Sequence, residues 1–191
     1  MEYQAKPKEI IIPDNPVSRF LFSSTRSAWI WLIIRLYVGY AWVTAGWGKL
    51  NSETWVGGQA GAAIQGFVKG ALAKAEGGKD VAGWYAWFLE NAVLPNAKVF
   101  AYVVACGEVL VGLGLIFGLL TGIAAFFGGF MNVMFLFAGT VSTNPLLFVL
   151  ATWLVMAWKV AGWYGLDRWA LPFLGTPWNS DLRNKLTKKQ A

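Results

Sequence analysis

Residues 103–122 read VVACGEVLVGLGLIFGLLTG, an apolar run with one carboxylate, Glu108, near its middle. A run of about 20 apolar residues is what a helix needs to cross a bilayer. A carboxylate at that depth costs about 3 kcal/mol or more unless it is paired, protonated or beside water. The chain must therefore fold so that a polar group meets Glu108 inside an apolar wall.

Other runs share this character, and together they predict spans at 27–48, 99–120, 122–141 and 145–163. The second and third are joined by almost nothing around 121–122, which makes them an antiparallel hairpin. The third and fourth are joined by the uncharged turn STNP at 142–145. The fold class expected is all-α, an integral membrane four-helix bundle. Composition agrees: 57% of the 191 residues are hydrophobic and 14% are charged, against roughly 25% charged in soluble domains. The 12 Trp residues suit membrane–water interfaces.

Charge sets the expected organisation. Residues 1–26 form an N-terminal segment with Lys6, Lys8, Arg19 and Arg26, and they lack the apolar core and cleavage site of a signal peptide. Residues 27–178 form the membrane domain, and 179–191 a basic tail with Arg183, Lys185, Lys188 and Lys189. Basic residues favour the cytoplasmic side, so both termini are placed there, in a multi-pass protein of the cell membrane. The net charge of +6 reads as topology and contact with anionic lipid, with no nucleic-acid partner, since no basic run is flanked by stacking aromatics.

The loop 50–98 then faces outward. Within it, 58–77 places Ala63, Phe67, Gly70 or Ala71 and Lys74 at helical spacing, and 81–95 gathers Trp84, Tyr85, Trp87 and Phe88. These predict interfacial helices lying on the membrane surface, either as a plain amphipathic cap or as a lid over a site in the bundle. The aromatic stretch 161–178 is expected along the opposite interface, with Asp167 and Arg168 at the water boundary.

The chemistry is bounded by what is missing. One cysteine, Cys106, and no histidine exclude a disulfide relay within the chain, leave a haem without its usual ligand and provide no zinc ligand set. No covalently bound cofactor and no metal site is expected. Cys106 lies on the far side of its helix from Glu108 and should face lipid or a neighbouring helix. Lys49 and Lys159 are expected to snorkel to the two surfaces, and Thr44 and Thr152 to bond back to their own helices.

Counting at ~1.5 Å per residue puts Arg35, Glu108 and Asn132 at similar depth on the first, second and third spans. A buried guanidinium and a buried carboxylate should find each other, so Arg35 is expected to pair with Glu108, and Asn132 to join them. Arg35, Gly39, Trp42 and Gly46 share one helical stripe, and Gly112 follows Glu108 on its own face. Gly114, Gly118 and Gly122 form a small-residue series that lets helices approach. Such a centre is either a register-fixing ion pair or a ligand site. In the second case Glu108 and Arg35 are the catalytic candidates, as proton relay and charge stabiliser. Arg35, Glu108, Asn132, Gly39, Gly112 and Trp42 are the candidate quinone- or ligand-binding residues.

The segments RLYVGYAWVTAGWGKL (35–50), GEVLVGLGLIFGLLTGIAA (107–125), MNVMFLFAGTVSTNP (131–145) and AGWYGLDRW (161–169) together resemble the DoxX/DoxD family of membrane proteins over about 27–178. The motif residues on which the likeness rests are Arg35, Gly46, Lys49, Glu108 and Asn132. The resemblance implies a four-helix membrane bundle and a redox-linked role. That role would be a subunit like the membrane component of a thiosulfate:quinone oxidoreductase, with quinone as a possible cofactor and a second redox subunit as a possible partner. The alternatives are a non-catalytic anchor or assembly subunit of a larger membrane complex, a homo-oligomer included, and a small transporter or channel.

Overall fold

The computed structural model describes residues 13–78 and 80–174. Lys6, Lys8, Lys79, Trp178 and the basic tail lie outside the described residues. Every regular element among the described residues is a helix.

The chain opens with α1 (Pro16–Ser23), which starts where Asn15 Oδ1 accepts from the Ser18 amide at 2.8 Å and where Pro16 supplies a preset φ at the first helical position. A 3₁₀ turn leads into α2 (Ala28–Leu50). The outer loop then forms α3 (Ala62–Glu76) and α4 (Gly83–Phe88), the latter continued by a π turn at Leu89–Val93. After it come α5 (Ala97–Phe117), α6 (Thr121–Phe137), α7 (Asn144–Met156), α8 (Trp158–Ala161) and α9 (Asp167–Phe173).

Helices α2 and α5 pack along each other, as do α6 and α7, and contacts of α5 with α6 and of α2 with α7 close the ring. Trp31, Val38, Trp42, Val111, Leu115 and Leu154 fill its core. The α5–α6 hairpin turns within three residues because Gly118 (φ 63°) and Leu120 (φ 50°) both take the left-handed conformation. Glycine does so without strain; Leu120 must be held there.

Among the described residues, two stretches are long and apolar enough to cross a membrane: Thr25–Leu50 with 26 residues and Ala97–Phe117 with 21. The expected third and fourth spans are shorter apolar helices, of 17 residues in α6 and 13 in α7. Helix α6 stops at Phe137, with Gly139 (φ 69°) in the turn that follows, and Ala157 alone separates the end of α7 from α8.

The polarity of the bundle is inverted relative to a water-soluble domain. Ile33, Tyr40, Leu110, Phe127, Phe130 and Trp153 are exposed, while Arg35, Glu108, Asn132 and Asp167 are at most 1% exposed. An apolar surface of this extent marks contact with lipid or protein. Cys106 is exposed on this surface, as expected. Thr44 and Thr152 donate back to Tyr40 and Phe148 carbonyls at 2.8 Å, also as expected.

The outer loop packs differently from the surface helices expected. The close approach of α2 to α5 sets Gly46 against Glu108 and Val109, so the first two turns of α5 overhang the end of α2. The overhang is covered by α3, α4 and the π turn through Ile64, Val68, Ala71, Tyr85 and Leu89. The buried stripe of α3 is therefore offset by one residue from the one expected at Ala63 and Phe67. Lys74 turns in to donate to the Gly139 carbonyl at 2.7 Å. The Tyr85 hydroxyl donates to the Met134 carbonyl at 2.8 Å, and burial pushes its pKa up to about 12, so it stays a neutral donor. Trp84 and Trp87 remain outward-facing.

Candidate functional site

The bundle buries two separate polar centres where one was expected. Packing of α2 against α5 fixes their spacing. Arg35 lies against Gly118, where any Cβ would overlap its Nη1, and Glu108 lies against Gly46. Those two positions of α5 are ten residues apart, which at ~1.5 Å per residue is about 15 Å along the helix. Arg35 and Glu108 therefore do not pair. The depth estimate fails because it assumed that the ends of α2 and α5 are level, whereas α5 overhangs.

At the end of the bundle near α1 and α9, Arg35 donates through Nη2 to the Tyr164 carbonyl at 3.0 Å. Asp167 is fully buried, not at the water boundary. Its carboxylate accepts from the Leu120 amide and, at 2.9 Å, from the Thr121 amide. Its own backbone amide donates to the Gly118 carbonyl at 2.7 Å. The side chain thus caps α6, satisfying amides that the left-handed turn leaves without helical partners. This explains how Leu120 is held. Close approach is possible because Gly118 and Gly165 present no side chain to Arg35. This centre is a joint that fastens the segment 164–173 to the α5–α6 turn.

The other centre lies beneath the helices of the outer loop. Lys49 does not snorkel outward: its Nζ reaches back to Glu108 Oε2 at 2.6 Å and sits 5.0 Å from the Trp55 ring centroid. Glu108 is 2% exposed on its side chain and Lys49 21%, so the ion pair runs from the bundle interior toward the outer face. The sequence held a signal for this. Arg35, Gly39, Trp42, Gly46 and Lys49 follow one another at spacings of four, three, four and three, so Lys49 continues the buried stripe.

Asn132 and Trp42 are buried within about one helical turn of Glu108 along α5. The indole Nε1 of Trp42 lies 3.0 Å from where a Gly128 Cβ would stand, and Val111 meets the same point. Met131 Sδ is 3.6 Å from the corresponding point of Gly107. This register puts Asn132 at the depth of Glu108, as expected from the sequence. Trp42 Nε1 and both amide atoms of Asn132 are buried without a hydrogen-bond partner. Each such atom costs about 1–3 kcal/mol, and native structures hold few of them.

Gly39 and Gly112 lie at a helix–helix contact. They are the contact where the backbones of α2 and α5 meet, a Cβ on Gly112 falling 2.8 Å from the Gly39 carbonyl. No group of three or more metal-ligating side chains occurs among the described residues.

About one turn along α5 from Glu108 lies a cavity of about 200 Å³, roofed by Ile64, Tyr85 and Leu89 and walled by Val104, Met131 and Met134; Trp42, Lys49, Glu108 and Asn132 do not line it. Val104 is one helical turn from Glu108, and Met131 adjoins Asn132.

No curated protein and no solved structure shows significant similarity to the chain. The model of the DoxX family matches residues 30–141. The matched segment contains Arg35, Trp42, Lys49, the helices over the outer centre, Glu108 and Asn132, and stops before Tyr164 and Asp167. It spans more than half of the sequence, and the chain belongs to the DoxX family of membrane proteins.

Proposed function

We propose that the chain is a multi-pass, redox-linked subunit of the cell membrane in which α2, α5, α6 and the broken α7–α8 each cross the bilayer. Both termini then lie on the cytoplasmic side, and the helices over the outer centre lie on the far side. Its ligand is a quinone, and the reading is closest to the membrane component of a thiosulfate:quinone oxidoreductase.

The observation that carries the reading is that Trp42 Nε1 and the Asn132 amide are buried without partners among the described residues, on helices that also hold the Glu108–Lys49 pair or border an apolar cavity. The other such atoms, Arg35 Nε and Nη1 and Thr121 Oγ1, lie at the joint with Asp167, where Arg35 Nη2 and the Thr121 amide are already bonded. A quinone is a flat apolar body with carbonyl oxygens, and it needs donors at membrane depth. Asn132 and Trp42 supply neutral donors. The Lys49 ammonium takes the role first considered for Arg35, stabilising negative charge as the quinone is reduced. Glu108 is the acid–base group: a carboxylate can carry a proton between ligand and water, and Lys49 is the partly exposed link to the outer face. Electrons come from a sulfur donor of the thiosulfate class or from a partner subunit.

The rival reading, an anchor or assembly subunit, needs free docking surfaces, for which exposed glycine stripes and aromatics are the candidates. Gly39, Gly46, Gly112, Gly118 and Gly122 are used within the chain, each with a neighbour where a Cβ would stand. That leaves the exposed aromatics Trp169 and Phe173 of α9 as its remaining support.

The test is titration of the purified protein in nanodiscs with decylubiquinone, read by quenching of tryptophan fluorescence. Saturable binding that weakens at least tenfold in folded Lys49→Met and Glu108→Gln supports the site, while Arg35→Lys leaves it unchanged. Absence of saturable binding to wild type overturns it in favour of the assembly subunit.

A further inference from the structure

We infer that the cavity beneath α3 and α4 holds the apolar body or tail of a lipid-soluble ligand, which enters sideways from the bilayer between α5 and α6. The inference rests on the quinone reading and extends it to the ligand's class and route.

The walls decide the class. Val93, Val104, Phe100, Met131 and Met134 are apolar, and the Tyr85 hydroxyl is already committed to the Met134 carbonyl. Among the described residues no charged side chain lines the space, so a small anion such as thiosulfate finds nothing there to replace its hydration. An apolar chain or ring loses only contact with water or lipid.

The rim decides the route. Val103 on α5 and Phe130 on α6 both line the cavity, yet they are 61% and 51% exposed. They belong to the outward apolar surface of the bundle, so the cavity opens on the face that meets lipid. The roof is fastened by Tyr85 to Met134 and Lys74 to Gly139, and by the buried Ile64, Val68 and Ala71.

Met131 is the lining residue nearest in sequence to Asn132. It lines the cavity, packs against Gly107 and precedes Asn132. Its unbranched thioether chain can change rotamer at little cost.

The experiment compares decylubiquinone with the same ring lacking its tail, in nanodiscs, on wild type, Val104→Trp and Ile64→Phe. The two variants fill the cavity from the wall and from the roof, so a folded protein remains if one fails. Leu110→Trp, on the lipid face of α5 and 69% exposed, is the control. The expected result is at least tenfold tighter binding of the tailed quinone to wild type and to the control, and loss of that preference in the filled variants. Equal binding of both quinones to wild type, or a preference that survives filling, overturns the inference. If the tailless quinone still binds and depends on Glu108 in those cases, the polar site stands and the cavity assignment alone falls. Failure of both quinones to bind wild type removes the quinone reading and this inference with it.

Discussion

Lys49 ends α2 by turning inward, placing Nζ 2.6 Å from Glu108 Oε2. Removing one member of a buried ion pair leaves the other without compensation and costs about 3–5 kcal/mol. Lys49→Met is expected at or below the lower end of that range, because the pair still has contact with the outer face. Replacing both partners, as Lys49→Met with Glu108→Leu, is expected to recover most of the loss. Thermal unfolding in detergent, arranged as a double-mutant cycle, measures the coupling; additive effects mean that the pair contributes nothing to stability.

The contact of α2 with α5 makes a second prediction. A Cβ on Gly112 would stand 2.5 Å from the Val43 amide nitrogen and 2.8 Å from the Gly39 carbonyl oxygen. Backbone cannot yield as a side-chain tip can. Gly112→Ala is expected to cost about 2–3 kcal/mol through forced separation of the helices, and Gly112→Val to abolish folding. Gly70, in the middle of α3, has nothing within 4 Å of its Cβ position. Gly70→Ala is expected to raise stability by about 0.5–1 kcal/mol. Melting temperatures of the variants should move in opposite directions.

The helices and their buried stripes were legible because apolar length and 3.6-residue periodicity report them directly. Arg35, Trp42, Gly46, Glu108 and Asn132 all prove to be interior. The pairing was not legible, because it depends on the axial offset of two helices, and that offset is set by the close glycine contacts of α2 with α5. A level alignment joins Arg35 to Glu108; the overhang of α5 joins Lys49 to it instead. Asp167 was assigned to water because a charge near an aromatic stretch usually lies there. The signal that could have corrected this is the very short α5–α6 turn, which leaves amides in need of an acceptor.

Asp167 joins distant parts of the chain by capping α6 at Leu120 and Thr121 beside the buried Arg35. Asp167→Ala removes two charge-assisted hydrogen bonds to the Leu120 and Thr121 amides, each worth about 1.5–3 kcal/mol, so a loss of about 3 kcal/mol is expected. The effect should be local to this end of the bundle. Hydrogen–deuterium exchange should rise in the segments 117–122 and 161–173 and stay unchanged in α3 and α4. A uniform rise across the bundle contradicts the assignment of this centre as a joint.

Asn132 separates stability from binding. A side chain that is buried for structural reasons keeps its partners, and its loss is costly. Asn132 has no partner at either amide atom, so its burial weakens the fold. Asn132→Leu, close in volume and free of polar atoms, is expected to leave the melting temperature unchanged or raise it, by up to about 2 kcal/mol of stability. The same change should weaken quinone-analogue binding at least tenfold, because a donor or acceptor to the ligand is gone. Asn132→Asp should be destabilising, since it places a second carboxylate at the depth of Glu108. Melting in detergent and titration in nanodiscs, on the same preparations, decide the matter. A destabilised Asn132→Leu with unaltered binding of the quinone would make this residue part of the packing and leave the site to Trp42, Lys49 and Glu108.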